Sequence, residues 1–212
     1  MTQSSLIVGA TSAIATEAAR LYAAQGARLH LLGRSPEKMQ ALCESLAPAE
    51  VTSELADFAN LAGVGPLVER AQQQLGRIDV ALIAHGTLGD QLRTERSFDE
   101  AEAIFRDNLL SAIAVLVPLA NVLEAQGDGT LGVITSVAGE RGRPRNYTYG
   151  AAKGALNIYL QGLRSRLYRA GVRVVTLKLG PVATPMTVGH KKNALFAQPH
   201  AVAESIVAAL TA

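Results

Sequence analysis

Tyr149 and Lys153 stand four residues apart, a spacing that sets two side chains on one helix face, one turn from each other. A phenol with a pKa of about 10 is a poor acid or base at neutral pH, but an ammonium one turn away favours phenolate and draws that pKa down. The pair therefore offers a general acid or base. Ser136 lies thirteen residues before the tyrosine, at the end of the apolar strand-like run Leu131 to Thr135. Its hydroxyl is placed to reach the same point and hydrogen-bond a carbonyl oxygen. Taken alone, Tyr-x-x-x-Lys also describes a helix start with a solvated lysine, so its meaning rests on the elements around it.

Those elements alternate. Ser5 to Val8 is a short β-rich run, Gly9 to Ala15 a loop, and Thr16 to Gln25 a good helix former. Strand, tight turn and helix form the context a dinucleotide loop requires, because a helix N-terminus presents free N–H groups and a positive dipole end to a pyrophosphate. Further strands are expected at Ala27 to Leu32, Val51 to Leu55, Ile78 to Ala84, Leu131 to Thr135 and Val172 to Leu177. The run at Ile78 is continuously apolar, as a parallel strand buried on both faces should be. Between them lie helical segments from Pro36 to Leu46, Leu61 to Leu75, Phe98 to Gln126, Tyr147 to Ala170 and Pro199 to Leu210. This alternation predicts a single α/β domain over 1–212, a doubly wound parallel sheet with right-handed crossovers and strand order 3-2-1-4-5-6.

The nucleotide-type loop, Ser136, the Tyr-x-x-x-Lys helix and the turn Gly180-Pro-Val-Ala-Thr184 occur in one order. In this arrangement the chain resembles the short-chain dehydrogenase/reductase family from about Ser5 to Thr184. The resemblance implies a Rossmann-fold enzyme that moves hydride between NAD(P) and a small carbonyl or alcohol, with Ser136, Tyr149 and Lys153 as the catalytic triad. It implies that Asn108 helps hold a water in a proton relay beside the lysine; without the family, an asparagine inside a helix marks a kink. It sets Gly9, Thr11, Ser12, Ala13 and Ile14 at the cofactor phosphates, Asp57 at the adenine, Gly86 near the nicotinamide end, and Pro181, Val182 and Thr184 along the nicotinamide. Tyr149 and Lys153 would contact the cofactor too, the lysine through ribose hydroxyls. Asp57 also reads as a helix cap. The stretch 185–199 corresponds to a substrate lid, and a homodimer is implied through the helices carrying Leu109 to Leu123 and Ala151 to Leu167, the first apolar nearly all round.

The departures from the family carry their own expectations. Of Thr-Gly-x-x-x-Gly-x-Gly the chain keeps only Gly9, with Val8, Ala13 and Ala15 at the other positions. Each added methyl narrows the approach to the phosphates, and together with Ala84 these alanines motivate a second reading, a catalytically silent nucleotide-binding regulator or scaffold. The family's Asn-Asn-Ala-Gly is here Ile83-Ala84-His85-Gly86, so His85 is read either as a substrate or cofactor contact or as a packing residue. Gly33 falls where an NAD enzyme carries an acid, and Arg34 follows. A guanidinium fork there suits a 2′-phosphate, so NADP(H) is expected over NAD(H), unless Arg34 is simply solvated. Arg141, Arg143 and Arg145 form a basic loop that either grips an anionic substrate or is a solvated charge run. The stretches His85 to Asp90 and Ser136 to Arg143 look like the family's polyprenyl-phosphate-linked 2-keto-pentose reductases.

Composition sets the outer limits. A chain of 212 residues, 49% of them hydrophobic, holds one well-buried core. A net charge of +2 with no basic, aromatic-interleaved stripe gives no sign of a nucleic-acid partner. Cys43 is the only cysteine, which rules out an intrachain disulfide and a cysteine metal cluster; no metal is expected. A reducing cytoplasm fits, no signal peptide is read at Met1 to Ser5, and Leu109 to Leu123 falls short of a membrane span.

Overall fold

The computed structural model describes residues 2–188 and 195–212. Six strands, β1 (Ser4–Val8), β2 (Arg28–Gly33), β3 (Val51–Leu55), β4 (Val80–Ile83), β5 (Gly129–Ser136) and β6 (Val172–Leu179), form one sheet in the order β3-β2-β1-β4-β5-β6. Every pairing is parallel. The doubly wound arrangement expected from the alternating runs is therefore the one observed.

The helices are α1 (Ala13–Ala24), α2 (Pro36–Ser45), α3 (Val64–Leu75), α4 (Gln91–Thr94), α5 (Phe98–Phe105), α6 (Ser111–Gln126), α7 (Tyr147–Leu167) and α8 (Pro199–Thr211). Because successive strand residues point to opposite faces, Leu6 and Val8 pack with α3, α6 and α7 while Ile7 packs with α1, α2 and α8. The two cores sit on either side of one sheet. Central β1 is buried along its whole length, whereas Thr52, Ser53 and Leu55 of edge strand β3 face solvent.

Two local differences from the sequence reading matter for the site. The first is that α1 begins at Ala13, three residues earlier than expected, because the Ser12 hydroxyl accepts from Ala15 N–H at 3.4 Å and caps it. Serine is a favoured cap and alanine the best helix former, so the two alanines in place of family glycines lie inside the helix. The second is that α5 and α6 are joined by a π-helical turn, Arg106–Leu110, that carries Asn108. Such turns often mark functional positions.

By length and composition the continuous helix Phe98–Gln126 is apolar enough to cross a membrane. Its apolar residues have another use here: Val115, Leu116, Leu119 and Leu123 are fully buried against the sheet, each contributing roughly 1.5–3 kcal/mol. Of the expected lid, Pro185–Thr187 forms a 3-10 turn and Pro199 starts α8, while residues 189–194 lie outside the described residues. Its two ends are stapled, since Ala183 N–H donates to Ala197 O at 2.9 Å and Ala197 N–H to Pro181 O at 3.0 Å.

Candidate active site

Parallel strands direct their C-terminal ends to one edge, and there the loops after β1, β4, β5 and β6 meet. Gly9 holds φ at 79°, and a Cβ on it would sit 2.7 Å from His85 N and 2.8 Å from His85 Cβ. Only glycine fits between the ends of β1 and β4. Ser12 N–H is taken by Gly9 O at 3.0 Å, and no acceptor among the described residues takes the N–H groups of Thr11, Ala13 or Ile14. Three free donors at a helix N-terminus make an anion cradle, so this loop fits a dinucleotide pyrophosphate. Ala15 is fully buried among Ile7, Ala10 and Ala18; its methyl enters the core and leaves the cleft clear.

Ser136 ends β5. Its Oγ accepts from Ala138 N–H at 3.1 Å and donates to Leu179 O at 3.5 Å, and it lies near enough to the Tyr149 phenol to favour its ionised form. Lys153 is buried, with Nζ 5.8 Å from the centre of the Tyr149 ring and 3.4 Å from Ile134 O, to which it donates. The triad residues thus converge. Their electrostatics correct the sequence reading: burial holds the Tyr149 phenol above its ordinary pKa, with the Ser136 hydroxyl pulling the other way. Burial also brings the Lys153 ammonium down to about 8. Desolvation outweighs the expected pull of the lysine charge, so at neutral pH the tyrosine carries its proton.

Asn108 is buried and its side chain is fully engaged. Nδ2 donates to Thr87 O at 2.8 Å and Ile104 O at 2.9 Å, and Oδ1 accepts from Thr87 N–H at 3.2 Å. It clamps the loop after β4 to the π-helical turn. A Cβ on Gly86, where φ is 148°, would stand 2.6 Å from Asn108 Oδ1 and 3.4 Å from Lys153 Nζ. Gly86 leaves room for both groups.

His85 takes the packing role. Its ring stacks on Phe58 with centroids 4.4 Å apart, and Nε2 lies 2.9 Å from Ser111 Oγ, whose proton goes to Asp107 O. His85 is therefore the donor, and its enclosed Nδ1 has no partner among the described residues. Burial first, and the Lys153 charge second, push its pKa down to about 3, so the ring stays neutral.

At the adenosine side, a Cβ on Gly33 would run into the thioether of Met39, so a side chain there requires Met39 to move. Arg34 is exposed and has no ion pair among the described residues, the nearest field it exerts falling on Asp107. Asp57 is exposed and its Oδ1 accepts from Ala59 N–H at 3.0 Å in a local turn, while Asn60 caps the helical turn that follows. Thr184 N–H donates to Thr187 Oγ1 at 3.1 Å, in the turn that begins just past Pro181 and Val182.

The sequence reading missed a seam of glycines. A Cβ on Gly150 would lie 2.7 Å from Ala138 O, one on Gly154 2.9 Å from Gly139 O, and one on Gly139 2.7 Å from Gly154 N. Backbone meets backbone here, and that contact presses α7 onto the turn after β5 and brings Tyr149 to Ser136. The Gly150-x-x-x-Gly154 spacing was the available signal. Gly150→Ala should destabilise the protein by about 1–3 kcal/mol through overpacking, at about 2–4 °C of Tm per kcal/mol for a chain of this size. An unchanged Tm in thermal unfolding would show that the seam yields freely.

A cavity of about 570 Å³ opens beside Tyr149. Its wall is held by Gln91, which accepts from Thr148 N–H at 3.1 Å and donates to Thr148 Oγ1 at 3.3 Å. These contacts tie α4 to the start of α7 and had no signal in the sequence.

Residues 3–194 match the family described as short chain dehydrogenase. An uncharacterized oxidoreductase of Mycobacterium tuberculosis (strain CDC 1551 / Oshkosh) is 36% identical over 208 residues, covering 97% of this chain and 83% of its own. Another, from Streptomyces coelicolor, is 36% identical over 192 residues, with 87% and 74% covered. Among solved structures, levodione reductase superposes with a TM-score of 0.89 at 26% identity over 99% of this chain and 90% of that one. Actinorhodin polyketide ketoreductase with NADPH superposes at 0.88 with 23% identity over 100% and 90%, a likeness of fold.

Proposed function

The chain belongs to the short-chain dehydrogenase family, and we propose that it is an NADP(H)-preferring carbonyl reductase whose proton chemistry runs through Ser136, Tyr149 and Lys153. One observation carries the reading: the Tyr149 ring lies 5.8 Å from the Nζ of a buried lysine, on the helix start that packs against the end of β5 at Ser136. The nicotinamide of a bound dinucleotide supplies the hydride that reaches the carbonyl carbon. Ser136 polarises the carbonyl oxygen, and Tyr149 O–H delivers the proton to that oxygen as the C–O bond becomes an alcohol. Lys153 stands behind the ring, where its charge favours the phenolate left after transfer. Asn108 holds the loop that carries Gly86, and its place in a π-helical turn suits the water relay the family implies. Holding both reactants in place contributes much of the acceleration.

The reading is tested by following NADPH absorbance with a panel of ketones and ketosugars, the latter included because of the motif likeness to 2-keto-pentose reductases. Absence of turnover with every carbonyl, with NADPH bound, would favour the silent scaffold. Of the alanines that motivate that alternative, Ala15 is buried in the core while Ala13 and Ala84 are half-buried. A cytoplasmic location goes with the proposal, since Cys43 is a free thiol.

Arg34 supports the cofactor preference. Arg34→Ala should weaken NADPH binding by a charge-assisted contact of roughly 1.5–3 kcal/mol, or about tenfold to a hundredfold, while NADH binding changes little. Equal losses for the two in a fluorescence titration would reject the assignment.

Association as a homodimer is proposed through α6 and α7, where Val117 is 46% and Ile158 71% exposed. Aliphatic side chains gathered on one such face mark an interface. Ile158→Glu should convert a dimer to a monomer in sedimentation at micromolar concentration; a wild-type monomer there would refute it.

A further inference from the structure

The cavity beside Tyr149 combines an apolar wall, built by Leu88, Leu92 and Ile104, with one cationic side chain, Arg145. Three arginines stand within five residues at 141, 143 and 145, all exposed, and no carboxylate lies within ion-pair distance of any of them among the described residues. Other cations have carboxylate partners. Arg93 meets Glu100, and Lys178 meets Glu140 at 2.9 Å. Glu140, the carboxylate nearest the loop in sequence, also accepts from Asn157 Nδ2 at 3.0 Å. The one carboxylate lining the cavity, Asp90, caps α4 by accepting from Leu92 N–H at 2.9 Å. The three guanidinium groups carry like charge, and none meets a carboxylate among the described residues, so the loop is electropositive.

Of the three, Arg145 alone lines the same cavity as Tyr149, and it stands four residues before it. A guanidinium presents a planar fork of donors that matches a carboxylate or phosphate. We infer that the substrate is a carbonyl compound bearing an anionic group, with Arg145 binding that group, the aliphatic wall holding the intervening carbon skeleton, and the carbonyl oxygen directed at Tyr149. A volume of about 570 Å³ suits one molecule of moderate size. The inference rests on the reading of Tyr149 as proton donor for its orientation, and on the cavity lining for its charge.

The experiment uses matched pairs of carbonyls with saturating NADPH: cyclohexanone against 4-oxocyclohexanecarboxylate, and dihydroxyacetone against dihydroxyacetone phosphate. For wild type, kcat/KM should favour the charged member of at least one pair, and the pair that shows it distinguishes carboxylate from phosphate. In Arg145→Ala the charged-to-neutral ratio should fall tenfold or more, chiefly through KM, and in Arg145→Glu it should fall further. Arg143→Ala, which does not touch the cavity, should keep the wild-type ratio. No preference in either pair, or a ratio unmoved by Arg145→Ala, overturns the inference. If no carbonyl is reduced at all, the reductase reading fails separately. The anion site is then read by calorimetric titration of 4-oxocyclohexanecarboxylate and dihydroxyacetone phosphate into wild type and Arg145→Ala. Saturable binding that the variant loses upholds the site, and its absence or persistence in the variant rejects it.

Discussion

Replacing Tyr149 with phenylalanine is expected to reduce turnover of any carbonyl substrate by about 10²–10⁴, the usual contribution of a positioned general acid. The change removes one oxygen from a partly buried ring, so packing against its surroundings survives and NADPH should still bind. What is lost is the phenol proposed as the proton donor beside Ser136 and Lys153. The fall should appear in kcat and kcat/KM together, because a proton donated only in the transition state does not help hold the substrate. Undiminished turnover in the variant would remove Tyr149 from the mechanism.

Lys153→Met should abolish or severely impair turnover and weaken cofactor binding, yet the unliganded variant should be more stable than wild type at pH 7. The ammonium is buried and its pKa falls from 10.5 to about 8, which means folding penalises the charged form. Below pH 8 the lysine is charged in both folded and unfolded chains, and the whole penalty is present. As pH rises from about 8 to 10.5 the folded protein releases its proton first, the unfolded chain holds more protons, and wild-type stability climbs relative to the variant. Across that window wild type should gain roughly 3 kcal/mol relative to the variant, at about 1.36 kcal/mol per pKa unit. Chemical denaturation at pH 7 and pH 10 measures it. A variant less stable than wild type by the same amount at both values would show that the lysine is a structural prop whose burial costs nothing.

The stability a protein gives up to keep such a group is commonly found at functional sites. Here the same burial acts on both partners with opposite effect on charge. It makes the lysine easier to deprotonate and the tyrosine harder, leaving a protonated phenol next to a readily neutralised amine.

Much of this protein is legible from local order along the chain. Apolar runs of strand length between helical segments point to a parallel sheet with right-handed crossovers, and the family resemblance adds the strand order. The four-residue step from Tyr149 to Lys153 determines that they share a helix face, since helical geometry is a property of adjacent residues alone. Other features depend on residues distant in sequence, and only the tertiary structure decided them. The spacing shows that a lysine is near the tyrosine but not that both are buried, and burial sets the sign of the tyrosine shift. His85 becomes a stacking partner because Phe58 comes to lie 4.4 Å away. Met39 lies against Gly33, and Gln91 reaches Thr148 across 57 residues. The methyl of Ala15 turns out to point into the core, where it spares the cofactor cleft, because the Ser12 cap starts α1 three residues earlier than composition suggests. Each of these is a contact or a desolvation, and both are fixed by packing between elements that the linear order does not bring together.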